Sequence, residues 1–308
     1  MKKFAVLLVA ALLLTFLASC GITPPQGELQ IVATSFAGYD FAAEIIGRDN
    51  ERVSLTLLSG GDAHSFDPTF NDMAKIRSAE LFIYVGGVSD TAIETLIADI
   101  EGLNVFRLVD SVELLEEEGE HDHEEDSHES HALDEHVWTS LANAILIVTD
   151  LVEAICEIDP DNAQVYRENG RRYLDELSAL HSQFKALFDS YTDPTLIFGD
   201  RFPFLYMARD YGFHYEAAFP GCSSASEPTL ATVTFLIDKV KSEGHTTVFY
   251  IEGGEHSVAD RIASATGTKT ALFHACHKVT ASEIASGVTY LSLMQGNYNA
   301  VKTALARE

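Results

Sequence analysis

The sequence predicts an α/β protein of two lobes, each a parallel sheet wrapped by helices, joined by one long connector helix. Short apolar runs alternate with helical stretches in both halves, at the spacing of parallel β/α units. An uninterrupted helical pattern separates the halves over residues 159–190. The roughly 280 residues beyond the N-terminal leader exceed the ~250 at which one core stops growing, so two are expected.

The leader comes first. Lys2 and Lys3 precede an apolar stretch over residues 4–17, and the chain then reads Leu17-Ala18-Ser19-Cys20. About fourteen such residues are too few for a membrane span, which needs roughly 20. A positive start and small residues at the end mark a cleaved export signal instead. The ending resembles the lipobox of bacterial lipoproteins, which implies removal of residues 1–19 and lipidation of Cys20. An extracytoplasmic chain anchored to the cell membrane follows, with residues 20–27, including Pro24 and Pro25, as its tether.

The N-terminal lobe is expected over residues 28–158. Its strands are placed at 30–34, 53–58 and 81–85, and its helices at 41–46, closed by Gly47, and 71–78, with a glycine-rich turn at 59–64. Residues 116–136 hold eleven Asp or Glu, five His and no Lys or Arg. Such a segment cannot pack, so an acidic His-rich loop is assigned to 116–135. The connector, 159–190, starts at Asp159-Pro160 and carries Val165, Tyr173, Leu177, Leu180, Phe184 and Leu187 at helical spacings. The C-terminal lobe, 191–308, has strands at 195–198, 247–251 and 270–273 and helices at 204–211, 230–242, 258–266 and 286–306. No tandem repeat is visible.

Charge narrows the function. The full chain carries −27, and cleavage removes two lysines and no acids, giving −29. Nucleic acid is excluded as a partner, because phosphate binding needs clustered Lys and Arg. A negative surface favours cations at the encounter step. Beyond Cys20 there are three cysteines. Cys222 and Cys276, both on loops after expected strands, are the favoured bridge and Cys156 a buried helix thiol, although sequence leaves other pairings open.

Ligands in parallel sheets gather at the carboxyl ends of strands. His64 follows a strand in Ser59-Gly60-Gly61-Asp62-Ala63-His64 and precedes Ser65-Phe66-Asp67-Pro68-Thr69. This stretch resembles the Pro-His-x-Tyr-Glu-Pro-Thr motif of solute-binding proteins that serve zinc and manganese ABC importers. His64, Pro68 and Thr69 match, whereas Ala63, Phe66 and Asp67 depart. Asp134-Glu135-His136-Val137-Trp138-Thr139-Ser140, followed by Asn143-Ala144, resembles the family's Asp-Pro-His-Ile-Trp-Leu-Ser-Pro-x-Asn-Ala, departing at Glu135 and Leu141. The resemblance covers essentially the whole mature chain and implies a metal cleft between the lobes, with His64 and His136 as ligands.

The family's third histidine falls on Arg201, aligned through Phe204, Tyr206 and Ala208. A guanidinium keeps its proton and has no lone pair to give. Asp200 beside it could supply a carboxylate oxygen, and a structural salt bridge competes with that reading. The family's fourth ligand, commonly an aspartate, falls on His274 when counted from Gly267-Thr268-Lys269. The expected site is therefore His64, His136 and His274, completed by Asp200, His277 or water. For His277 a supporting or surface role competes with ligation. Glu252 and Glu227-Pro228-Thr229 also match the family, and a cap or interlobe hydrogen bond explains both.

Imidazoles suit zinc, whereas manganese prefers carboxylate-rich sites. The expected function is thus an extracytoplasmic zinc receptor, not an enzyme, delivering Zn2+ to an ABC permease and its ATPase as a monomer. A manganese receptor, with Mn2+ as cargo, is the alternative within the family. A zinc hydrolase is another, without a supporting motif, and a surface adhesin a third. His121, His123, His128 and His131 in the acidic loop resemble the auxiliary loop of zinc-directed members and imply weak, exchangeable binding.

Overall fold

The computed structural model describes residues 29–58, 67–116, 133–219 and 227–306. Strands β1 (Leu29–Ala33), β2 (Val53–Leu57), β3 (Leu81–Tyr84) and β4 (Asn104–Arg107) form one parallel sheet, in the order β2-β1-β3-β4. Strands β5 (Thr195–Phe198), β6 (His214–Ala217), β7 (Thr247–Tyr250) and β8 (Lys269–Leu272) form a second, in the order β6-β5-β7-β8. The two orders are the same, so the lobes repeat each other in topology where the sequence shows no repeat.

Strands β4 and β6 escape the sequence pattern because neither reads as an apolar run: Asn104 and Arg107 interrupt one, His214 and Glu216 the other, and Val105 and His214 are exposed. The inner strands alternate between two cores. Ile31 and Ala33 face the central core while Val32 faces the outer one, and in β3 Ile83 and Phe82 divide likewise. This is the two-residue period of a strand with both faces covered.

Helix α1 (Phe36–Ile46) starts five residues earlier than the sequence suggests, because the Ser35 hydroxyl accepts from the Gly38 amide at 3.2 Å and caps it. Helix α2 (Phe70–Ser78) opens with a reciprocal cap between Thr69 and Asp72. Helix α3 (Thr91–Ile97) then leads to β4. Two long helices follow, α4 (Leu141–Ile158) and α5 (Ala163–Asp189), then α6 (Leu205–Tyr211). The C-terminal lobe continues with α7 (Leu230–Glu243), capped by Thr229, then α8 (Ser257–Thr266), α9 (Ala281–Ala285) and α10 (Tyr290–Leu305). The repeat extends to these caps: α2 and α7 follow equivalent strands, one after Asp67-Pro68-Thr69 and the other after Glu227-Pro228-Thr229.

The 27-residue connector helix α5 packs along α4. Its buried residues are Tyr166, Gly170, Tyr173, Leu177, Leu180, Phe184 and Phe188, the last two stacked on Tyr211. Val165, assigned to the buried stripe from sequence, is 51% exposed, and Tyr166 takes its place. Gly170 makes close packing feasible, since a Cβ there would lie 2.4 Å from Val152 Cγ2. One apolar core runs from Ile31 and Phe41 through Ile147, Tyr173 and Phe184 to Phe198, Phe273 and Met294. It therefore spans both lobes. Among the described residues no helix is long and apolar enough to cross a membrane.

Candidate metal centre

His136 precedes a single 3-10 turn, Val137–Thr139, that runs into the α4 cap Ser140. Its ring is almost fully buried. Nδ1 lies 2.6 Å from Asp134 Oδ1, which also accepts from the His136 amide at 2.7 Å. A carboxylate oxygen accepts, so Nδ1 carries a proton in this bond, the outer hydrogen bond that orients a metal-binding imidazole. Glu135, where the family motif has proline, accepts from the Ser89 amide at 2.8 Å. It thereby fastens the histidine segment to the turn after β3.

The segment is also fastened to the opposite lobe. Trp138 Nε1 donates to the Ala275 carbonyl at 2.8 Å, and Tyr290 Oη donates to the Trp138 carbonyl at 2.6 Å. Tyr206 Oη donates to the Asp134 carbonyl at 2.6 Å. Ser140 Oγ bonds Asp210. Asp40 of α1 accepts from the Tyr290 amide at 2.9 Å and pairs with Arg48 at 2.6 Å. Burial raises the Asp40 carboxyl above its usual range, against the opposing pull of Arg48.

The ring that meets His136 is His277, not His274. The His136 and His277 centroids are 4.7 Å apart at 71°, and Trp138 closes the group with its ring centroid 5.2 Å from that of His277. His274 is buried and turned to structural work. Its amide donates to Asn297 Oδ1 at 2.7 Å, and Asn297 Nδ2 returns a bond to its carbonyl at 2.8 Å. Its Nδ1 accepts from the Cys276 amide at 2.9 Å, which places the ring proton on Nε2 and leaves neither nitrogen with a free lone pair. Burial pushes this imidazole below its usual range, against Glu252 and Glu283. The ring that lies against His136 is therefore three residues beyond the expected His274. The chain reverses between the two histidines, with Cys276 in the left-handed region at φ 59°, and counting from Gly267 does not reveal which ring faces the cleft.

Asp200 is bonded to two backbone amides. Oδ1 accepts from the Arg201 amide at 2.8 Å and Oδ2 from the Ile251 amide at 3.2 Å, so the carboxylate staples the ends of β5 and β7. The Arg201 guanidinium lies over the Phe219 ring at 5.4 Å. Cys222, the anticipated partner of Cys276 in a bridge, lies outside the described residues. Cys276 is a free thiol at 2% exposure, enclosed by the core, and burial raises it well above its usual range. Cys156 is a buried helix thiol, as expected. His64, His121, His123, His128, His131, Cys20 and Cys222 lie outside the described residues. Among the described residues no three His, Cys, Asp or Glu side chains are grouped to hold an ion. What those residues supply is a pair of imidazoles.

The family model for the zinc-uptake complex component A, periplasmic, matches residues 31–304. The chain belongs to that family. It is 30% identical over 316 residues to the high-affinity zinc uptake system protein ZnuA of Bacillus subtilis, covering 99% of this chain and 98% of that protein. It is 28% identical over 315 residues to the zinc-binding lipoprotein AdcA of Streptococcus pneumoniae, covering 100% of this chain and 62% of AdcA. The chain thus spans less than two thirds of that relative's length. In fold it resembles the Zn(II)-bound ZnuA-like domain of S. pneumoniae AdcA, with a TM-score of 0.75 at 23% identity over 91% of this chain and 100% of that domain. The metal-dependent lipoprotein YcdH of B. subtilis superposes with a TM-score of 0.76 at 24% identity, over 90% of this chain and 100% of that one. Family members and this chain share two lobes bearing parallel sheets.

Proposed function

We propose that this protein is an extracytoplasmic zinc receptor of an ABC importer, tethered by lipid on Cys20, acting as a monomer and handing its ion to a membrane permease. The ion is held by His64, His136 and His277, with water or a fourth group completing a tetrahedron. The observation that carries this reading is the His136–His277 ring pair at 4.7 Å, with His136 Nδ1 committed to Asp134. That bond holds the ring in place, the usual support for a metal-bound imidazole.

The choice of zinc over manganese rests on the carboxylates. Asp134 is engaged by His136, Asp200 by two backbone amides and Glu252 by the amides of Ala275 and His277. Acids close to the imidazole pair thus brace the chain, and nitrogen donors are left for the ion, which suits zinc rather than manganese. The receptor reading stands above a hydrolase because the family is a component of an uptake complex. The acidic segment 116–135 is an auxiliary collector of ions, dispensable for the tight site.

Zinc titration of the protein from Gly21, with metal content by mass spectrometry, tests the assignment. One tight zinc per chain is expected to survive deletion of residues 117–132 and His274→Ala, and to weaken at least a hundredfold in His136→Ala and His277→Ala. Loss of the tight site in the deletion variant would assign binding to the acidic segment instead. Equal loss in His274→Ala and none in His277→Ala would restore the set expected from sequence. Manganese bound more tightly than zinc would overturn the selectivity.

A further inference from the structure

We propose that Glu252 is a positioning residue for the ion: its carboxylate templates the turn that presents His277 to His136. This rests on His277 being a ligand. Glu252 stands two residues beyond the end of β7, with its side chain 9% exposed. Oε2 accepts from the Ala275 amide at 2.8 Å, and Oε1 accepts from the His277 amide at 2.8 Å and the Lys278 amide at 3.3 Å. Three backbone N–H groups of one turn therefore converge on one carboxylate, the arrangement by which successive amides bind an anion. Such bonds to an ionised acceptor are shorter and stronger than neutral ones.

The turn needs this template. Between Ala275 and His277 the backbone passes through Cys276 at φ 59°, a region that a residue with a Cβ adopts only when its surroundings impose it. Cys276 itself is enclosed by the core, and its amide is taken by His274 Nδ1 at 2.9 Å. The conformation that turns His274 inward is thus the one that turns His277 toward His136. On its other side the turn is gripped by Trp138, whose Nε1 donates to the Ala275 carbonyl. Trp138 lies two residues from His136. The two imidazoles are therefore linked by a short path through Trp138, Ala275, Glu252 and His277, each step a hydrogen bond or a peptide.

Glu252 also differs in kind from a ligand. Both oxygens accept from amides of its own lobe, and Oε1 also lies 3.4 Å from His274 Nδ1, so its effect on the ion passes through the turn that carries His277. Replacement by glutamine keeps the size but sets an NH2 donor against amide donors, which releases at least one of the three bonds. Loss of a partner that orients a metal ligand typically weakens metal binding by about 10–100-fold. Trp138 is the chain's single tryptophan, so its indole N–H reports the state of the turn without labelling artefacts from other rings.

The test is a double-mutant cycle on the whole protein, reading zinc affinity by chelator competition and the indole N–H resonance of 15N-labelled protein. Glu252→Gln is expected to weaken zinc about 10–100-fold and to shift the indole resonance in the zinc-free protein. In the His277→Ala background the same change should have no further effect on zinc affinity, because the ligand through which it acts is gone. Additive losses in the two variants would overturn the proposal, and so would unchanged zinc affinity in Glu252→Gln with His277→Ala impaired. If His277→Ala alone binds zinc like the parent, the ligand assignment itself fails. Should Glu252→Gln not fold, Glu252→Asp, which keeps the charge but retracts it by one methylene, enters the same cycle with the same outcomes.

Discussion

In the proposed site His136 is buried and His277 half-buried, with their rings facing each other, whereas His274 is held by Asn297 and the Cys276 amide. His181 gives an independent measure of such surroundings. It lies on α5 with Nδ1 3.0 Å from Tyr211 Oη, and burial pushes its imidazole below the usual range, with Asp210 opposing and Lys185 assisting. Its folded value being the lower one, the unfolded chain binds a proton that the folded chain refuses, over the window just below about 6.5. Stability contributed by this group is therefore present above that window and lost as pH falls through it. His181→Gln is expected to shrink the drop in melting temperature between pH 7 and pH 5. An unchanged drop would show that the imidazole is protonated equally in both states.

At the scale of elements, the α4–α5 pair decides the separation of the lobes. The 27 residues of α5 extend about 40 Å at 1.5 Å per residue, and the helix touches α1, α4, α6 and α10 along that length. Its closest approach is at Gly170. Adding a methyl there forces it into Val152, so Gly170→Ala is expected to destabilise the protein by about 1–3 kcal/mol, as overpacking does. The double variant Gly170→Ala with Val152→Ala should recover much of the loss, because the colliding Cγ2 is removed. Urea denaturation of the four proteins measures both. A stabilising Gly170→Ala, as helix propensity alone would give, would mean that the crossing relaxes freely.

The whole molecule follows from that crossing. A continuous core through both sheets, together with the bonds of Trp138, Tyr290, Tyr206 and Asp40, makes the lobes one packing unit. Thermal unfolding is expected as one calorimetric transition, with the van't Hoff and calorimetric enthalpies in agreement. Two resolved transitions would show that the lobes melt separately. The same packing limits hinge opening, so release of the ion is expected through local rearrangement. Hydrogen exchange should leave the amides of Trp138 and Tyr290 equally protected with and without zinc.

Much of this protein was legible in its sequence because the signals were local. Apolar runs marked β1, β2, β3, β5, β7 and β8, and Asp159-Pro160 marked the start of the connector. Strands β4 and β6 were not legible, because polar residues interrupt them and leave no apolar run. Nor was the repeat, since strand order and capping threonines are shared while the residues between them are not. Which of His274 and His277 lies against His136 was decided by tertiary structure alone. Both lie in Leu272-Phe273-His274-Ala275-Cys276-His277, both have the right chemistry, and spacing cannot separate them. Asn297 from α10, Glu252 from the end of β7 and Trp138 from the other lobe do so, each distant in sequence, by consuming the hydrogen bonds of one histidine and aiming the ring of the other.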